Sequence, residues 1–322
     1  MLASASTASS PRSEAKGGVA GRAGLQSAAV PGDLKPAPGG TLESSGIGSG
    51  GERYLDLITR CLTRDLFLDQ EWWEADLRQW TGDVGQLRDG FRELGWRAVR
   101  RGDPAARSEG RDWPPSAETM VGNRRLDNVA SLCRSAIEAG VPGDFIETGV
   151  WRGGVTILMR AVLAAYGIAD RRVWVADSFE GLPVPDPAHE ADAGLDWSHV
   201  EVLKVDADAV RANFARYDLL DEQVRFLEGW FSDTLPSAPI ERLAVLRLDG
   251  DLYGSTLDAL DALYPKVSPG GFVIVDDYGG WESCRRAVDD YRAEHGIDVP
   301  IHTVDWTGVW WQVPPGPDGS GA

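Results

Sequence analysis

Three aspartates stand at the ends of two short apolar runs in the second half of the chain. The runs are VLRLDGDLYGST (Val245 to Thr256) and GFVIVDDYGG (Gly271 to Gly280), and the aspartates are Asp249, Asp276 and Asp277. Runs rich in Val, Ile and Leu are typical of buried strands in a parallel sheet, and ligands bind at the carboxyl edge of such sheets. If the two strands are neighbours, the three carboxylates repel one another and need a partner. A hard divalent cation, which takes oxygen ligands, is the simplest one.

An aspartate that follows a strand can also serve only as the N-cap of the next helix. Asp251 and Asp277 both have this option, because the sequence predicts helices that begin near Ser255 and Trp281. The sequence leaves both interpretations open at each single position. The occurrence of acidic residues on two strands favours the metal site.

The composition excludes several classes of partner. The 322 residues carry a formal net charge of -18, so the phosphates of nucleic acids and an anionic membrane surface would be repelled. No apolar run in the sequence has the length of a membrane span. Cys61, Cys133 and Cys284 are widely spaced and lack a CxxC pattern, which disfavours both a disulfide framework and a zinc site. We therefore expect a cytoplasmic protein that acts on a small molecule.

The amino-terminal part of the chain differs in composition from the rest. Residues 1–50 are rich in Ala, Gly, Ser and Pro, which predicts a disordered tail. Residues 51–140 predict a helical cap or lid region, with one amphipathic helix over 53–67 and another that begins after Pro115 and ends at Gly140. Between these helices lie Trp72, Trp73, Trp80 and Trp96. Aromatic residues of this kind are typical of a core or of an interface between copies of a chain, so a homo-oligomer is one expectation.

Residues 141–315 alternate between strand and helix patterns, as in α/β folds with a parallel sheet. Predicted strands cover 144–150, 172–179, 224–229 and the two runs that end in aspartate. Predicted helices cover 151–167, 206–217, a segment near Ile240 and 281–295. Two late strands, 301–305 and 308–313, have only Trp306 and Thr307 between them and predict an antiparallel hairpin. Five parallel strands, a terminal hairpin and helices on both faces predict the Rossmann-like sheet of a class I methyltransferase.

The first turn between a strand and a helix indicates the cofactor. The segment ETGVWRGG has glycines at 149, 153 and 154, which let the backbone approach a ligand, but it lacks the GxGxxG spacing of a dinucleotide site. S-adenosylmethionine has no phosphate and needs acidic oxygens for its amino group and ribose hydroxyls. Glu147 and Asp177, at the ends of the first two strands, can supply these oxygens. Phe231 and Ser232 follow the third strand and are expected to flank the adenine.

Six segments in order carry a resemblance to a known family. They are ETMVG, FIETGVWRGG, VWVADSFEGLP, LDEQVRF, RLAVLRLDGDLYGST and SPGGFVIVDDYGGW. Together they resemble the TylF/MycF family, the magnesium-dependent O-methyltransferases that modify deoxysugars on macrolides and related natural products. The similarity extends from about Arg53 to Gln312.

The resemblance implies an active site as well as a fold. It implies that S-adenosylmethionine is bound by Thr119, Met120, Glu147, Thr148, Gly149, Val150, Trp151, Asp177, Ser178 and Phe179. It also implies Mg²⁺ on Asp249, Asp276 and Asp277, with Asp249 as the catalytic base. The expected reaction moves a methyl group to a sugar hydroxyl that the metal activates and orients.

Two departures from the family concern the acceptor. Family members often carry Glu at the position of Gly254, and the segment from His189 to His199 matches no family motif. Both are expected to lie near the acceptor entrance, where the segment is a candidate lid. A phenolic or aminocoumarin-type acceptor remains an alternative to the sugar. From another class, DGDLYGST loosely resembles the motif of aspartate-dependent phosphatases, with Asp249 as nucleophile.

Overall fold

The computed structural model describes residues 47–68, 72–74, 83–96 and 99–314. The predicted tail therefore lies outside the described residues up to residue 46, as do Trp80 and the side chains of Trp72 and Trp73. Within these ranges, no helix combines the length and the apolar character needed to cross a membrane.

The helices and strands follow one another in a largely alternating order. The helices are α1 (Ser49–Leu62), α2 (Asp83–Glu93), α3 (Pro104–Ser108), α4 (Asn123–Glu138), α5 (Gly154–Ala165), α6 (Ala207–Arg216), α7 (Phe231–Thr234), α8 (Tyr253–Leu263) and α9 (Glu282–Glu294). The strands are β1 (Trp72–Glu74), β2 (Val99–Arg101), β3 (Asp144–Thr148), β4 (Val173–Asp177), β5 (Val224–Glu228), β6 (Leu243–Leu248), β7 (Val267–Val275), β8 (His302–Thr303) and β9 (Val309–Gln312).

A seven-stranded sheet in the order β5-β4-β3-β6-β7-β9-β8 organises the larger part of the protein. The five strands from β3 to β7 are parallel, and β9 runs antiparallel to both β7 and β8. All six residues of β6, at the centre, are buried, which explains why its sequence is apolar rather than alternating. The predicted sheet of five parallel strands and a hairpin is confirmed.

Helices cover both faces of this sheet. On one face, α1, α4 and α5 pack in a core that includes Phe145 and Val245. On the other face, α8 and α9 pack in a core that includes Ile146 and Leu246. Because successive side chains of a strand point to opposite faces, residues 147, 247 and 249 belong to the face covered by α4 and α5. This parity determines which residues meet at the carboxyl edge of the sheet.

The ETMVG segment is a connector rather than part of a helix. The helix predicted to begin after Pro115 begins only at Asn123, because Gly122 passes so close to the end of α3 that a Cβ there would overlap the carbonyl of Ser108. The helix predicted over 53–67 likewise ends at Leu62, and Arg64, with φ 60°, separates it from a short 3₁₀ turn. The ETMVG segment, residues 118–122, therefore lies as irregular chain beside the start of α5.

The helix predicted near Ile240 is wrong. The structure has only the short helix α7, and residues 235–242 form a turn and an irregular segment. Pro236 and Pro239 explain the difference, because a proline inside a helix removes a hydrogen bond and clashes with the preceding turn. Ile240 is nevertheless buried, since the extended segment places its side chain in the core beside α8. The two-stranded ribbon of β1 and β2 was not predicted either.

Candidate active site

The two strands that end in aspartate are neighbours, as predicted. In the register of β6 and β7, Leu248 lies opposite Val275, and the N–H of Asp276 donates to the carbonyl of Leu248. The strands therefore end level with each other. Asp249, Asp276 and Asp277 each offer a carboxylate oxygen, and these oxygens lie within 4.8 Å of one another. The structure thus brings together the three residues predicted to bind a metal.

Two buried arginines share these carboxylates, and the sequence analysis missed both. Arg247, in β6, donates through Nη1 to Asp249 Oδ2 at 2.8 Å and to Glu147 Oε1, and through Nη2 to Asp276 Oδ1. Arg125, in α4, donates to Asp276 Oδ2 and lies 3.0 Å from an oxygen of Asp305. The one available signal was the period of two in β6, which places Arg247 on the same face as Asp249.

The site holds more acidic groups than these arginines can balance. Six carboxylates face two guanidinium groups: the acids are Glu147, Asp249, Asp251, Asp276, Asp277 and Asp305. Burial raises the pKa of Asp249, and raises the pKa of Asp277 well above its usual value, with neighbouring carboxylates adding to both shifts. Buried charges need compensation. The surplus of negative charge, on oxygen ligands that can meet at one point, fits a divalent cation.

The alternative role of these aspartates as helix caps is wrong. The residues that precede α8 and α9 are Leu252 and Trp281, and neither helix receives a cap from them. Asp277 Oδ2 instead accepts from the N–H of Asp251 at 3.2 Å. The first turn of α8 is capped by Asp192, which accepts from the N–H groups of Tyr253 at 2.7 Å and Gly254 at 3.0 Å.

The segment from His189 to His199 packs against the start of α8. A Cβ at Gly254 would lie 2.9 Å from His189 Cδ2, so the small residue makes room for the histidine ring. Further along, the rings of Trp197 and Trp281 are 4.7 Å apart. The two departures from the family are therefore one structural feature, because the segment occupies the space beside Gly254.

Asp177 organises the predicted cofactor turn. Its carboxylate accepts from the N–H groups of Val150 at 2.7 Å, Trp151 at 3.3 Å and Phe179 at 2.8 Å. Burial raises the pKa of Asp177, and these backbone donors oppose the shift. The hydroxyl of Ser178 lies 3.4 Å from the same carboxylate, so four protein groups already face its roughly four lone-pair sites. Asp177 therefore holds the turn in place.

The turn that follows β3, where the cofactor is predicted to bind, contacts the turn that follows β6 and carries Asp249. Gly149 has φ 86°, and a Cβ there would overlap the carbonyl oxygen of Asp249. Thr148 Oγ1 lies 3.4 Å from the carbonyl oxygen of Arg247. Gly149, a predicted cofactor residue, is therefore in direct contact with Asp249, a predicted metal ligand.

The other predicted cofactor residues lie around this turn at different distances from it. Gly154, at the start of α5, donates to the carbonyl of Glu118, which places Thr119 and Met120 beside the turn. Ser178 donates to the carbonyl of Gly181 at 2.8 Å. The ring of Phe231 is 3.5 Å from where a Cβ of Gly250 would be, whereas Ser232 is exposed.

Comparison with known proteins gives a consistent result. The model of the macrocin O-methyltransferase (TylF) family matches residues 51–313. The chain is 59% identical over 263 residues to 8-demethyl-8-(2,3-dimethoxy-alpha-L-rhamnosyl)-tetracenomycin-C 4'-O-methyltransferase of Streptomyces olivaceus, a match covering 80% of this chain and 92% of that protein. It is 52% identical over 269 residues to mycinamicin III 3''-O-methyltransferase of Micromonospora griseorubida, covering 82% and 97%.

A solved structure shows the same fold. The O-methyltransferase NovP is 46% identical to the chain and superimposes with a TM-score of 0.72. The superposition covers 82% of this chain and 99% of NovP. The sheet, the flanking helices and the hairpin are therefore those of a class I methyltransferase.

Proposed function

Because this chain belongs to the macrocin O-methyltransferase (TylF) family, we propose that it transfers the methyl group of S-adenosylmethionine to a hydroxyl group of a sugar on a natural product. The acceptor class is supported by the two relatives described above, one named for a rhamnosyl-tetracenomycin and the other for mycinamicin III. The match to each covers more than nine-tenths of that relative. The proposed mechanism is based on the cluster of Asp249, Asp276 and Asp277 at the carboxyl edge of the sheet.

In this proposal Asp249, Asp276 and Asp277 hold Mg²⁺. The support is the convergence of their oxygens within 4.8 Å and the surplus of carboxylates over guanidinium groups. Mg²⁺, when bound, lowers the pKa of a ligated hydroxyl and orients it, ideally through two vicinal oxygens. Arg247 and Arg125 hold Asp276 from both sides, so its carboxylate is fixed before any ligand arrives.

The proton of the acceptor hydroxyl passes to an aspartate of the β6 turn. Asp249 is the proposed base, and its side chain is the most accessible of the three predicted ligands, with 27% of its surface exposed. Asp251 is a second candidate that the structure brings forward, because it lies on the same turn and accepts a hydrogen bond from the side chain of Trp281. A general base contributes about 10² to 10⁴ in rate.

Two substitutions separate these roles. Asp249 is both a proposed ligand and the proposed base, so Asp249→Asn should weaken Mg²⁺ binding and should lower kcat by about 10² or more even at saturating Mg²⁺. Asp251→Asn should keep both Mg²⁺ binding and rate. Asp249→Asn and Asp251→Asn are compared by titration calorimetry with Mg²⁺ and by single-turnover rates. If Asp251→Asn loses the rate at saturating Mg²⁺ and Asp249→Asn keeps it, Asp249 is not the base.

In the proposed cofactor site, S-adenosylmethionine lies against the turn from Gly149 to Gly153. Glu147 and Asp177 offer acidic oxygens, Phe231 flanks the adenine, and Asp177 keeps the turn in shape through its bonds to the backbone. The remaining proposed contacts come from Thr119, Met120, Thr148, Gly149, Val150, Trp151, Ser178, Phe179 and Ser232. Asp177→Asn should weaken cofactor binding more than metal binding.

The deciding experiment has two steps. Calorimetry first measures the binding of S-adenosylmethionine with and without Mg²⁺. Mass spectrometry then follows methyl transfer to a panel of glycosylated metabolites, with phenolic and aminocoumarin-type compounds as the alternative acceptors. Transfer that is lost with chelator and restored by Mg²⁺ supports the proposal, whereas full activity in chelator contradicts the metal role. Methylation of an unglycosylated phenol alone would contradict the sugar.

Family membership removes the support for an aspartate-dependent phosphatase, because the family match includes the DGDLYGST segment on which that alternative rested. A cytoplasmic location and a homo-oligomer, by contrast, stay predictions. Fractionation of cells of the source organism would test the first, and sedimentation of the purified protein would test the second.

A further inference from the structure

The guanidinium group of Arg247 bonds to carboxylates of both the proposed cofactor site and the proposed metal site. The residue is fully buried. Its Nη1 bonds to Glu147 and Asp249, and its Nη2 bonds to Asp276. These three carboxylates belong to β3 and to the ends of β6 and β7, which are adjacent in the sheet. A single planar group therefore fixes the relative positions of three strand ends.

The three carboxylates have different proposed partners. Glu147, directly opposite Arg247 in the register of β3 and β6, belongs to the cofactor end, while Asp249 and Asp276 belong to the metal end. Glu147 Oε1 is held by Arg247, and its Oε2 is buried without a hydrogen-bond partner among the described residues. The backbone contact between Gly149 and Asp249 joins the same two ends. The two ends are thus joined by one side chain and by one backbone contact.

We propose that Arg247 is a positioning residue that couples the cofactor end to the metal end, so that binding of either ligand raises the affinity for the other. This inference rests on the proposed function. A ligand that shifts a carboxylate at one end also shifts the arginine fork that this carboxylate shares with the other end, so the second ligand finds its own carboxylates already moved. By thermodynamic linkage the two ligands change each other's affinity by the same factor.

The proposed coupling requires the shape of arginine as well as its charge. A guanidinium group presents five N–H donors in a rigid fork and can bond to several carboxylates in fixed geometry, whereas a lysine ammonium is a compact charge on a flexible stem. Arg247→Lys therefore keeps the positive charge and removes the fork. Glu147→Gln keeps the size of the side chain and all the proposed metal ligands, and it replaces the carboxyl group that Arg247 bonds at the cofactor end with an amide.

The test is a double titration of the full-length protein. Mg²⁺ binding is measured by calorimetry in the absence and in the presence of saturating S-adenosylhomocysteine, the demethylated product, which cannot react. In the unaltered protein the product should tighten Mg²⁺ binding by roughly 5- to 150-fold, the usual range of coupling between sites. In Arg247→Lys and in Glu147→Gln the ratio should fall towards one.

Arg160→Lys is the matched control. Arg160 is also a largely buried arginine paired with a carboxylate, but it lies in α5 and pairs with Asp221. The control should keep the coupling of the unaltered protein. Denaturant unfolding of each variant verifies that it is folded, and Glu147→Gln serves if Arg247→Lys does not fold.

Two results would overturn the inference and leave the proposed function intact. One is a ratio of one in the unaltered protein that binds both ligands, and the other is an unchanged ratio in both site variants. If the unaltered protein binds neither Mg²⁺ nor S-adenosylhomocysteine, the proposed function fails and the inference fails with it.

Discussion

Two glycines determine how closely the turns of the active site approach each other. Gly149 contacts the carbonyl of Asp249 with φ 86°, a conformation that residues with a side chain rarely adopt. Gly254 has ordinary backbone angles, and its small size matters only because the ring of His189 lies beside it. The first glycine is required by the backbone, whereas the second is required by a neighbouring side chain.

Gly254→Ala should therefore alter acceptor binding with little effect on folding. The new Cβ would lie 2.9 Å from His189 Cδ2, so the histidine ring must move, while alanine favours the helix by up to about 1 kcal/mol. We expect a several-fold change in acceptor KM, an unchanged Kd for S-adenosylmethionine and a free energy of unfolding within about 1 kcal/mol of the original. Steady-state kinetics and urea unfolding provide the measurements.

Gly50→Ala is the control for this substitution, because a Cβ at Gly50 in α1 has nothing within 4 Å. It should leave the acceptor KM unchanged. An acceptor KM that is the same in Gly254→Ala and in the original protein would show that His189 does not border the acceptor.

The acidic residues of the site could be predicted from the sequence, whereas their arginine partners could not. Asp249, Asp276 and Asp277 follow apolar runs, and the carboxyl ends of neighbouring parallel strands meet at one edge. Arg125 is 151 residues away from Asp276, and no local pattern connects a position in α4 to a strand end. For Arg247 the sequence did indicate that some partner exists, because a charged residue inside a fully buried strand must have one. It did not indicate which residue the partner is.

At the scale of elements, one side chain of the long connection between β4 and α6 hydrogen-bonds to the start of α8. Asp192 is buried and accepts from two N–H groups at the start of α8. The first N–H groups of a helix have no partner inside the helix, so a cap supplied by a distant segment joins the two elements. The cap thereby positions the segment from His189 to His199.

Asp192→Ala should cost about 0.5–2 kcal/mol in the free energy of unfolding, the usual cost of losing an N-cap. Because the same bonds hold the connection in place, acceptor KM should rise as well. Asp206→Ala is the control, since Asp206 caps α6 through the N–H of Ala209. The control should lose similar stability and keep its acceptor KM. Equal KM values for the two variants would argue against a positioning role for Asp192.

The ion pair between Arg160 and Asp221 gives a pH dependence with a definite sign. The hydrogen bond from Arg160 is the main cause of a lowered pKa for Asp221. A carboxyl group with a lowered pKa stabilises the folded state above its unfolded value of about 3.9, and this contribution is lost as the pH falls through the folded value. Asp221→Asn should therefore lose about 0.2–1 kcal/mol at neutral pH, since the aspartate is partly exposed.

Denaturant unfolding at several pH values measures this difference. The curves of Asp221→Asn and of the original protein should converge in strong acid, where the aspartate is protonated in both states. A stability difference that stays constant down to the lowest pH would show that the ion pair is not its source.

The elements that the sequence predicted well are those with local determinants. The parallel strands have continuous apolar runs, and the hairpin has a short connection. The helix near Ile240 was wrong because two prolines, Pro236 and Pro239, shortly precede it and prevent one. For the cap of α8 the sequence offered only nearby aspartates as candidates, since a cap 61 residues away in sequence leaves no local trace.

At the scale of the whole molecule, the carboxyl edge concentrates acidic charge in a chain that is already acidic. Burial raises the pKa of Glu147 to about 8 and that of Asp251 to about 7. Without a cation, these groups stabilise the folded state most at a pH below their unfolded values of about 4. This contribution is lost as the pH rises through the folded values. The cation-free protein should thus lose stability from about pH 4 to pH 8.

Mg²⁺ should consequently raise the unfolding temperature more at about pH 8.5 than at about pH 5.5, because protonated carboxylates compete with the cation. At a free Mg²⁺ concentration of 100 times the Kd, the expected stabilisation is about 2.7 kcal/mol. Calorimetric melting with and without chelator measures the effect. Asp277→Asn should reduce it, and Asp208→Asn, which alters an exposed acid in α6, should not. A Mg²⁺ effect that persists in Asp277→Asn would contradict the assigned ligands.

The turn of the terminal hairpin has a consequence for the order in which the site is completed. Asp305 accepts from the N–H groups of Thr307 and Gly308 and also pairs with Arg125. The hairpin follows every other strand of the sheet in sequence, so a ribosome delivers it last. Until then, Arg125 lacks one of its two counter-ions. The catalytic edge of this enzyme is accordingly finished after release of the hairpin from the exit tunnel, however early the parallel strands assemble.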